Sequence, residues 1–175
     1  MSSGARKMDA MEAILTRRSI RRYTSNKVPR ELTTELLRAA MSAPSASNEQ
    51  PWHFVVIDDR TILDEIPKFH PYSDMLTEAP MAILVCVELI PEREGFVVQD
   101  GSAATQNLLL AAHAKGLGAV WLGIYPWEER IEGMRKLTNL PNHIVPLTLI
   151  ALGYPAEQIP REDRYQPQRV HSNKW

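Results

Sequence analysis

The chain has 175 residues, of which 44% are hydrophobic and 23% are charged, and its formal net charge is −1. This length is sufficient for one domain with a sizeable core. The charge balance argues against a nucleic-acid binder that works through overall positive charge, and no apolar run approaches the ~20 residues that span a bilayer. The single cysteine, Cys86, excludes an intramolecular disulfide and argues against most cysteine-based metal sites.

The N-terminal segment, residues 1–8, is predicted to be flexible, and residues 9–175 are predicted to form one domain. The segment lacks the apolar region of a secretory signal, so the cytoplasm is the expected location. A first helix is predicted to begin at Asp9, which has the spacing of a capping pair to Glu12. This helix is expected to turn three apolar side chains toward the core: Met11, Ile14 and Leu15.

Hydrophobic periodicity predicts four more helices. One begins at Pro29 and ends at Pro44, and the others cover residues 61–67, 96–115 and 127–137. Runs of β-branched and other apolar residues predict four strands, the first two of them buried. They lie at residues 52–57, 81–89, 119–124 and 144–152. Strands that alternate with helices indicate a sheet covered by helices.

Residues 154–175 differ in character, because they combine three prolines and many charges with little apolar periodicity. Such a segment would be disordered in isolation. It nevertheless contains Val170 and ends in Trp175, and these apolar side chains indicate an extended arm that anchors on another surface.

Four arginines lie within residues 17–22, directly after the first helix. Guanidinium groups suit a phosphate because they stay protonated and donate two parallel hydrogen bonds. A solvated basic helix end is the alternative, since cations are favourable at that pole of the helix. The cluster alone leaves both interpretations open.

Sequence signatures of common catalytic sites are absent. The five histidines lack the close spacing of a metal site, and neither a Gly-x-Ser-x-Gly elbow nor a Walker-type loop is present. Gly116-Leu-Gly118 precedes a predicted strand, whereas a dinucleotide fingerprint follows one. We therefore predict no catalytic side chain and no metal ligand. An anion site without such groups fits an enzyme whose cofactor supplies the reactivity, and it also fits a plain ligand-binding protein.

The segment at residues 43–54 offers two hydroxyls and two carboxamides beside a tryptophan. Asn48 and Gln50 carry both donors and acceptors, so they can bind a heteroaromatic edge that presents both. A polar turn with residues chosen for local backbone bonds is the alternative.

Together, these segments make the chain resemble the nitroreductase-like FMN-dependent flavoproteins. Residues 17–21 match the family's Arg-Arg-Ser-x-Arg motif, and residues 43–52 match Ala-Pro-Ser-x-x-Asn-x-Gln-Pro-Trp without a gap. Residues 116–123 match Gly-Leu-Gly-x-x-Trp-x-Gly. Weaker matches at residues 146–155 and 169–171 extend the resemblance over nearly the whole chain.

The resemblance implies an α/β (α+β) fold, in which helices flank a central, mostly antiparallel or mixed sheet. It also implies a homodimer that exchanges its C-terminal arms and binds FMN between the subunits. The small residues of the helix at 96–115 would then form a packing surface between subunits, although an ordinary core helix remains the alternative. Residues 69–75 and the turn at 125–127 are candidates to cover the flavin.

The resemblance assigns site residues in three groups. The FMN phosphate and pyrimidine edge would contact Arg17, Arg18, Ser19 and Arg21, joined by a C-terminal arginine, Arg164 or its competitor Arg161. The partner subunit would contribute Pro44, Ser45, Ser47, Asn48 and Gln50. Leu122 and Gly123 would lie beside the flavin N5, with backbone N–H groups as donors.

The implied activity is ping-pong reduction of a small electron acceptor, such as a nitroaromatic or a quinone, with NADH or NADPH as the donor. Neither nucleic acid nor a membrane is an expected partner. The alternatives are a non-catalytic FMN-binding or sensing protein, and a relative that performs reductive dehalogenation, enoate reduction or flavin breakdown.

Overall fold

The computed structural model describes residues 8–89 and 94–175. The predicted flexible segment, apart from Met8, lies outside the described residues. In these described residues five α-helices and four strands follow one another: α1 (Ala10–Thr16), α2 (Arg30–Met41), β1 (Trp52–Ile57), α3 (Arg60–Glu65), β2 (Met81–Glu88), α4 (Glu94–Ala114), β3 (Gly118–Gly123), α5 (Glu128–Thr138) and β4 (Ile144–Gly153). The segment at residues 71–80, where the sequence shows no strong periodicity, contains a short 3₁₀ turn, Asp74–Thr77. No helix in the described part of the chain is long and apolar enough to cross a membrane.

The four strands form one antiparallel sheet in the order β1-β2-β4-β3, which confirms the predicted central, mostly antiparallel sheet. The central strands are buried almost throughout, and β4 is buried along its whole length. β1 is an edge strand in which His53 and Val56 are exposed. The prediction of a fully buried strand at residues 52–57 is therefore wrong, because this strand has a neighbour on one side only.

Helices cover both faces of the sheet, so alternate residues of each strand enter different cores. In β2, Leu84 and Cys86 pack with side chains of α3 and α5, whereas Ile83 and Val85 pack with side chains of α2 and α4. Cys86 is buried, as its apolar surroundings in the sequence predict.

The long helix α4 is an ordinary core helix within one chain. Its Ala104, Leu108 and Ala112 are fully buried, and Asn107 donates a hydrogen bond to the Ala39 carbonyl of α2 at 3.2 Å. The small side chains let α2 and the sheet approach closely.

The burial of α1 differs from the prediction. Ala13 faces the protein and is buried, and Thr16 bonds to His113 at the end of α4 at 2.7 Å. A helix of only seven residues has one narrow contact face, and here the smaller side chains occupy it. The predicted inward residues are instead 42–61% exposed: Met11, Ile14 and Leu15.

The residues directly after β4 pair with the segment that follows α1. Thr24 donates its N–H to the Tyr154 carbonyl, and Ala156 donates its N–H to the Arg22 carbonyl, both at 2.9 Å. Beyond this pairing, residues 161–175 are all exposed, and the indole of Trp175 is stacked on His171 at 4.3 Å.

Candidate cofactor site

The candidate site lies along the outer edge of β3. Ile124 donates its N–H to the Leu147 carbonyl of β4, so the preceding residue of the strand, Gly123, directs its backbone groups away from β4. The Ala119 carbonyl faces outward in the same way and accepts the N–H of Ile20 at 3.0 Å. The N–H and C=O of Gly123 therefore point to this outer edge, where the arginine segment also lies.

The arginine segment forms one wall of a pocket of about 280 Å³ at this edge. Five residues predicted for the cofactor phosphate line it together with Ile159 and Glu162: Arg17, Arg18, Ser19, Arg21 and Arg164. Burial lowers the pKa of Arg17, and the nearby charges of Arg164 and Arg18 lower it further. The positive charges of these three arginines are thus close enough to interact unfavourably, and an anion bound among them would be stabilised.

Arg18 holds the start of the C-terminal segment against the end of α1. Its guanidinium donates to the carbonyls of Pro160 at 3.0 Å and of Arg17 at 2.7 Å. This contact brings Arg164 into the pocket, where it pairs with Glu162 at 3.1 Å. The competitor Arg161 lines a different cavity, between α1 and the tail. The geometry thus favours Arg164.

A second pocket, of about 480 Å³, lies at the end of β3. Arg21 lines both pockets, so the two pockets adjoin at this residue. Besides Leu122 and Gly123, it is lined mainly by the segment predicted to cover the flavin: His70, Pro71, Tyr72, Asp74 and Met75. Trp121 and Arg130 complete it.

Two side chains hold the outward carbonyl of Gly123. The His70 imidazole Nδ1 accepts the N–H of Tyr72 at 3.3 Å, so neutral His70 carries its proton on Nε2 and donates it to Gly123 O at 3.0 Å. Burial lowers the pKa of His70, and the charge of Arg130 lowers it further, which favours this neutral form. Arg130 donates a second bond to the same oxygen at 2.8 Å.

The guanidinium of Arg130 is positioned by two aromatic rings. It lies 5.6 Å from the centre of the Tyr72 ring and 5.2 Å from that of Trp127. Cation–π contacts of this kind are attractive, so they restrain a charge at the mouth of the second pocket.

The remaining predicted residues lie in the loop before β1. They are mostly exposed: Pro44, Ser45, Ser47, Asn48 and Gln50. Ser47, Asn48 and Gln50 have φ values of 53°, 59° and 51°, which is unfavourable for residues with a side chain. Asp100 supports the loop by accepting the N–H of Ala46 at 3.0 Å. Strain of this kind, held in place by its surroundings, is common at ligand-binding sites.

Within one chain this loop does not meet the arginine pocket. The loop precedes β1 and the pockets adjoin β3, and these strands form opposite edges of the sheet. Three strand spacings of roughly 4.8 Å separate the edges by about 14 Å. Only two of the three predicted residue groups therefore come together in a single chain.

Sequence reasoning did not single out three polar residues that hold this site together. Arg130 gave no signal, since a charged residue on an amphipathic helix is ordinary. Asp100 gave none either, since it stands among polar and small residues. Thr148 did offer one, because it is a polar residue within an otherwise apolar, buried strand.

Comparison with known proteins identifies the family of the chain. The family model described as "Nitroreductase family" matches residues 14–71 and 68–154. A protein of Methanothermobacter thermautotrophicus, named "Putative NADH dehydrogenase/NAD(P)H nitroreductase", is 53% identical over 97% of this chain and 89% of its own. A crystal structure of a protein of the same name from Bacteroides thetaiotaomicron is 44% identical, with a TM-score of 0.90 over 95% of this chain and 98% of that one.

A third relative bears on the predicted cofactor. This protein, from Desulfovibrio desulfuricans, was crystallised in complex with FMN. It is 34% identical, with a TM-score of 0.79 over 94% of this chain and 96% of its own. Matches over nearly the full length of both chains confirm the family and fold that the sequence motifs predict: the chain belongs to the nitroreductase family.

Proposed function

We propose that this protein is an FMN-dependent oxidoreductase that uses NADH or NADPH to reduce small electron acceptors such as nitroaromatics or quinones. Residues 9–175 act as a single FMN-binding domain in this proposal. One observation carries it: Arg21 is shared by a pocket rich in arginine and a larger pocket that ends at the outward backbone of Gly123. A ligand with a phosphate at one end and a flat heteroaromatic ring at the other suits that arrangement.

The donor set of the first pocket fits the phosphate of FMN. Arg17 and Arg164 supply positive charge, and Ser19 adds a hydroxyl at the same pocket. Charge-assisted hydrogen bonds from such groups are about twice as strong as neutral ones. Glu162 pairs with Arg164 and so neutralises part of the positive charge of the pocket, and the remaining positive charge would attract an anion.

The second pocket suits the redox end of the cofactor. FMN would supply the hydride chemistry, while the chain binds and orients it and excludes water. Arg21 would place a cation near the pyrimidine edge, where negative charge accumulates on reduction, and the Gly123 N–H would donate at N5. Both groups are already in place, so little reorganisation is needed when charge develops.

We further propose that the functional unit is a homodimer with FMN at the subunit interface and exchanged C-terminal arms. The distance of about 14 Å between sheet edges separates Asn48 and Gln50 from the arginine pocket of their own chain, so a second chain would supply them. The exposed side chains of Met11 and Ile14 on α1, and of Val170 and Trp175 on the arm, offer apolar surface for such contacts.

Anaerobic absorbance spectroscopy of the purified protein tests the proposal. The protein should be yellow, or become so with FMN, and one nicotinamide should bleach the flavin band before an acceptor restores it. Initial rates at varied donor and acceptor should give the parallel lines of a ping-pong scheme. Protein that cannot be reconstituted with FMN would refute the proposal.

A non-catalytic FMN-binding or sensing protein is the competing function, because Tyr72 and Arg130 line the second pocket and are held together by a cation–π contact, and a closed cover of this kind would exclude substrate. Bound FMN that neither NADH nor NADPH bleaches would favour it. An acceptor panel that includes halogenated phenols and enoates would separate the proposed activity from other reductions. The cytoplasm, which supplies NAD(P)H, is the proposed location.

A further inference from the structure

The Leu122–Gly123 peptide is held by a buried hydroxyl. Thr148 of β4 lies opposite Gly123, is fully buried, and donates its Oγ1–H to the Leu122 carbonyl at 2.9 Å. Leu122 pairs with Leu149 in the strand register, at a position where the ladder bonds run between β3 and β4. The carbonyl of Leu122 therefore accepts from a side chain as well as from its own ladder.

An irregularity in β4 accompanies this contact. The register between β2 and β4 shifts at Val85 and Cys86, so Leu147 has no partner of its own in β2. The Leu147 carbonyl instead accepts two N–H groups, from Ile124 at 3.2 Å and from Tyr125 at 3.0 Å. Bulges of this kind re-aim side chains and are common beside active sites.

The same peptide bond links the Leu122 carbonyl to the Gly123 N–H. A hydrogen bond accepted by a peptide carbonyl polarises the peptide and makes its N–H a stronger donor. Valine would fill the space of Thr148 at nearly equal volume in this apolar strand. A hydroxyl at this position is thus unnecessary for packing, although it costs free energy to bury unless it is bonded.

We propose that Thr148 is a positioning residue, whose hydroxyl polarises the Leu122–Gly123 peptide so that the Gly123 N–H acts as a preorganised donor at the flavin N5. This role rests on the proposed function. A donor at N5 would draw electron density from that nitrogen and make it a better hydride acceptor, so a stronger donor there would stabilise the transition state of hydride transfer more than the ground state.

The bonds from His70 and Arg130 act on the other side of Gly123. A glycine has no Cβ, and open space surrounds the place where one would lie, so the backbone of Gly123 is free to rotate unless it is held. The two bonds to the Gly123 carbonyl restrict that rotation, while Thr148 holds the preceding carbonyl. Together they fix the direction of the N–H.

Thr148→Val and Thr148→Ser test the proposal as a pair. Valine removes the hydroxyl at similar size, and serine keeps it. Thr105→Val is the matched control, because Thr105 is also fully buried and donates to a backbone carbonyl, Gly101 of α4, at 2.8 Å. Thr148→Cys serves as a second variant, since a thiol is a weak donor of similar size.

The first readout is the ¹⁵N resonance of Gly123 in the cofactor-free protein. It should move upfield in Thr148→Val and stay near its wild-type position in Thr148→Ser and in the control. The second is single-turnover reduction by the nicotinamide, whose rate constant should fall about three- to tenfold in Thr148→Val, as loss of one modest hydrogen bond predicts. FMN affinity should change far less than this rate, and Thr148→Cys should fall in between.

Distinct results would overturn the role and the proposed function. Wild-type protein that does not hold FMN would refute both. A wild-type enzyme whose Gly123 resonance and reduction rate are unchanged by Thr148→Val would refute the role of Thr148 alone. Equal losses in reduction rate and in FMN affinity, or an equal loss in Thr105→Val, would assign the residue to general packing and would likewise refute it.

Discussion

Replacing Arg17 with alanine should weaken FMN binding by about one to two orders of magnitude. A hydrogen bond between charged groups contributes about 1.5–3 kcal/mol, and roughly 1.4 kcal/mol corresponds to a tenfold change in affinity. Burial lowers the pKa of Arg17, and the charges of Arg164 and Arg18 lower it further, so a bound phosphate would also relieve repulsion among these cations.

Folding and binding should respond in opposite ways to this change. Arg17→Ala removes a cation that repels its neighbours, so the melting temperature of the cofactor-free protein should stay the same or rise while FMN affinity falls. Quenching of FMN fluorescence on titration with apoprotein measures the affinity, and thermal unfolding measures stability. Arg22→Ala is the matched control, since Arg22 pairs with Glu78 at 3.0 Å on the surface and lines neither pocket. Unchanged affinity in Arg17→Ala would show that the phosphate lies elsewhere.

The remaining expectations concern the positions that surround the cofactor pockets. Burial lowers the pKa of His70 in the folded protein, so neutral His70 contributes its full stabilisation above the ordinary pKa of 6.5, and this contribution is lost as the pH falls through the lowered pKa. The variant His70→Gln should therefore show a smaller fall in melting temperature below about pH 6.5 than the wild type. An equal fall in both proteins would contradict the buried neutral form. Asp100→Ala should leave the Ala46 N–H unpaired, lower the melting temperature by about 2–10 °C and weaken FMN binding. Asp100→Asn keeps an acceptor and serves as the control. An alanine variant as stable as the wild type would show that Asp100 does not support the loop before β1. Removal of residues 165–175, which are all exposed in one chain, should spare the fold but yield monomers in analytical ultracentrifugation, and a truncated dimer that still holds FMN would refute arm exchange.

The order of elements was predictable because it depends on local patterns. The continuous apolar run of β2 predicts a buried strand, and β2 occupies the middle of the sheet. The edge position of β1 and the outward stripe of α1 were not predictable in the same way. Which strand pairs with which, and which face of a short helix meets its neighbour, are set by contacts between residues far apart in the sequence.

The same distinction between local patterns and long-range contacts applies to the site. The arginine segment and the loop at residues 43–52 are recognisable because each presents several suitable groups within a few residues. His70 and Arg130 bond to the Gly123 carbonyl, and Thr148 bonds to the Leu122 carbonyl. These side chains come from three different segments, so no spacing along the chain reveals them. Only the burial of a polar side chain in an apolar strand pointed to Thr148, and that signal names no partner.

The single chain has two unfavourable features, and FMN bound between two chains would offset both. The loop with Asn48 and Gln50 contains three residues in a left-handed backbone conformation, and such a conformation costs about 1–3 kcal/mol per residue. Arg17 and Arg164 lie close enough to repel each other. The phosphate of FMN would neutralise the repulsion between the arginines. Contacts between the loop and a flavin ring bound between two chains would offset the backbone strain. A ligand that binds only the assembled form stabilises it by mass action, so cofactor binding and subunit assembly should be coupled rather than independent. A site that is formed by two chains and filled by FMN would thus explain why a single chain retains both the strained loop and the repulsion between arginines.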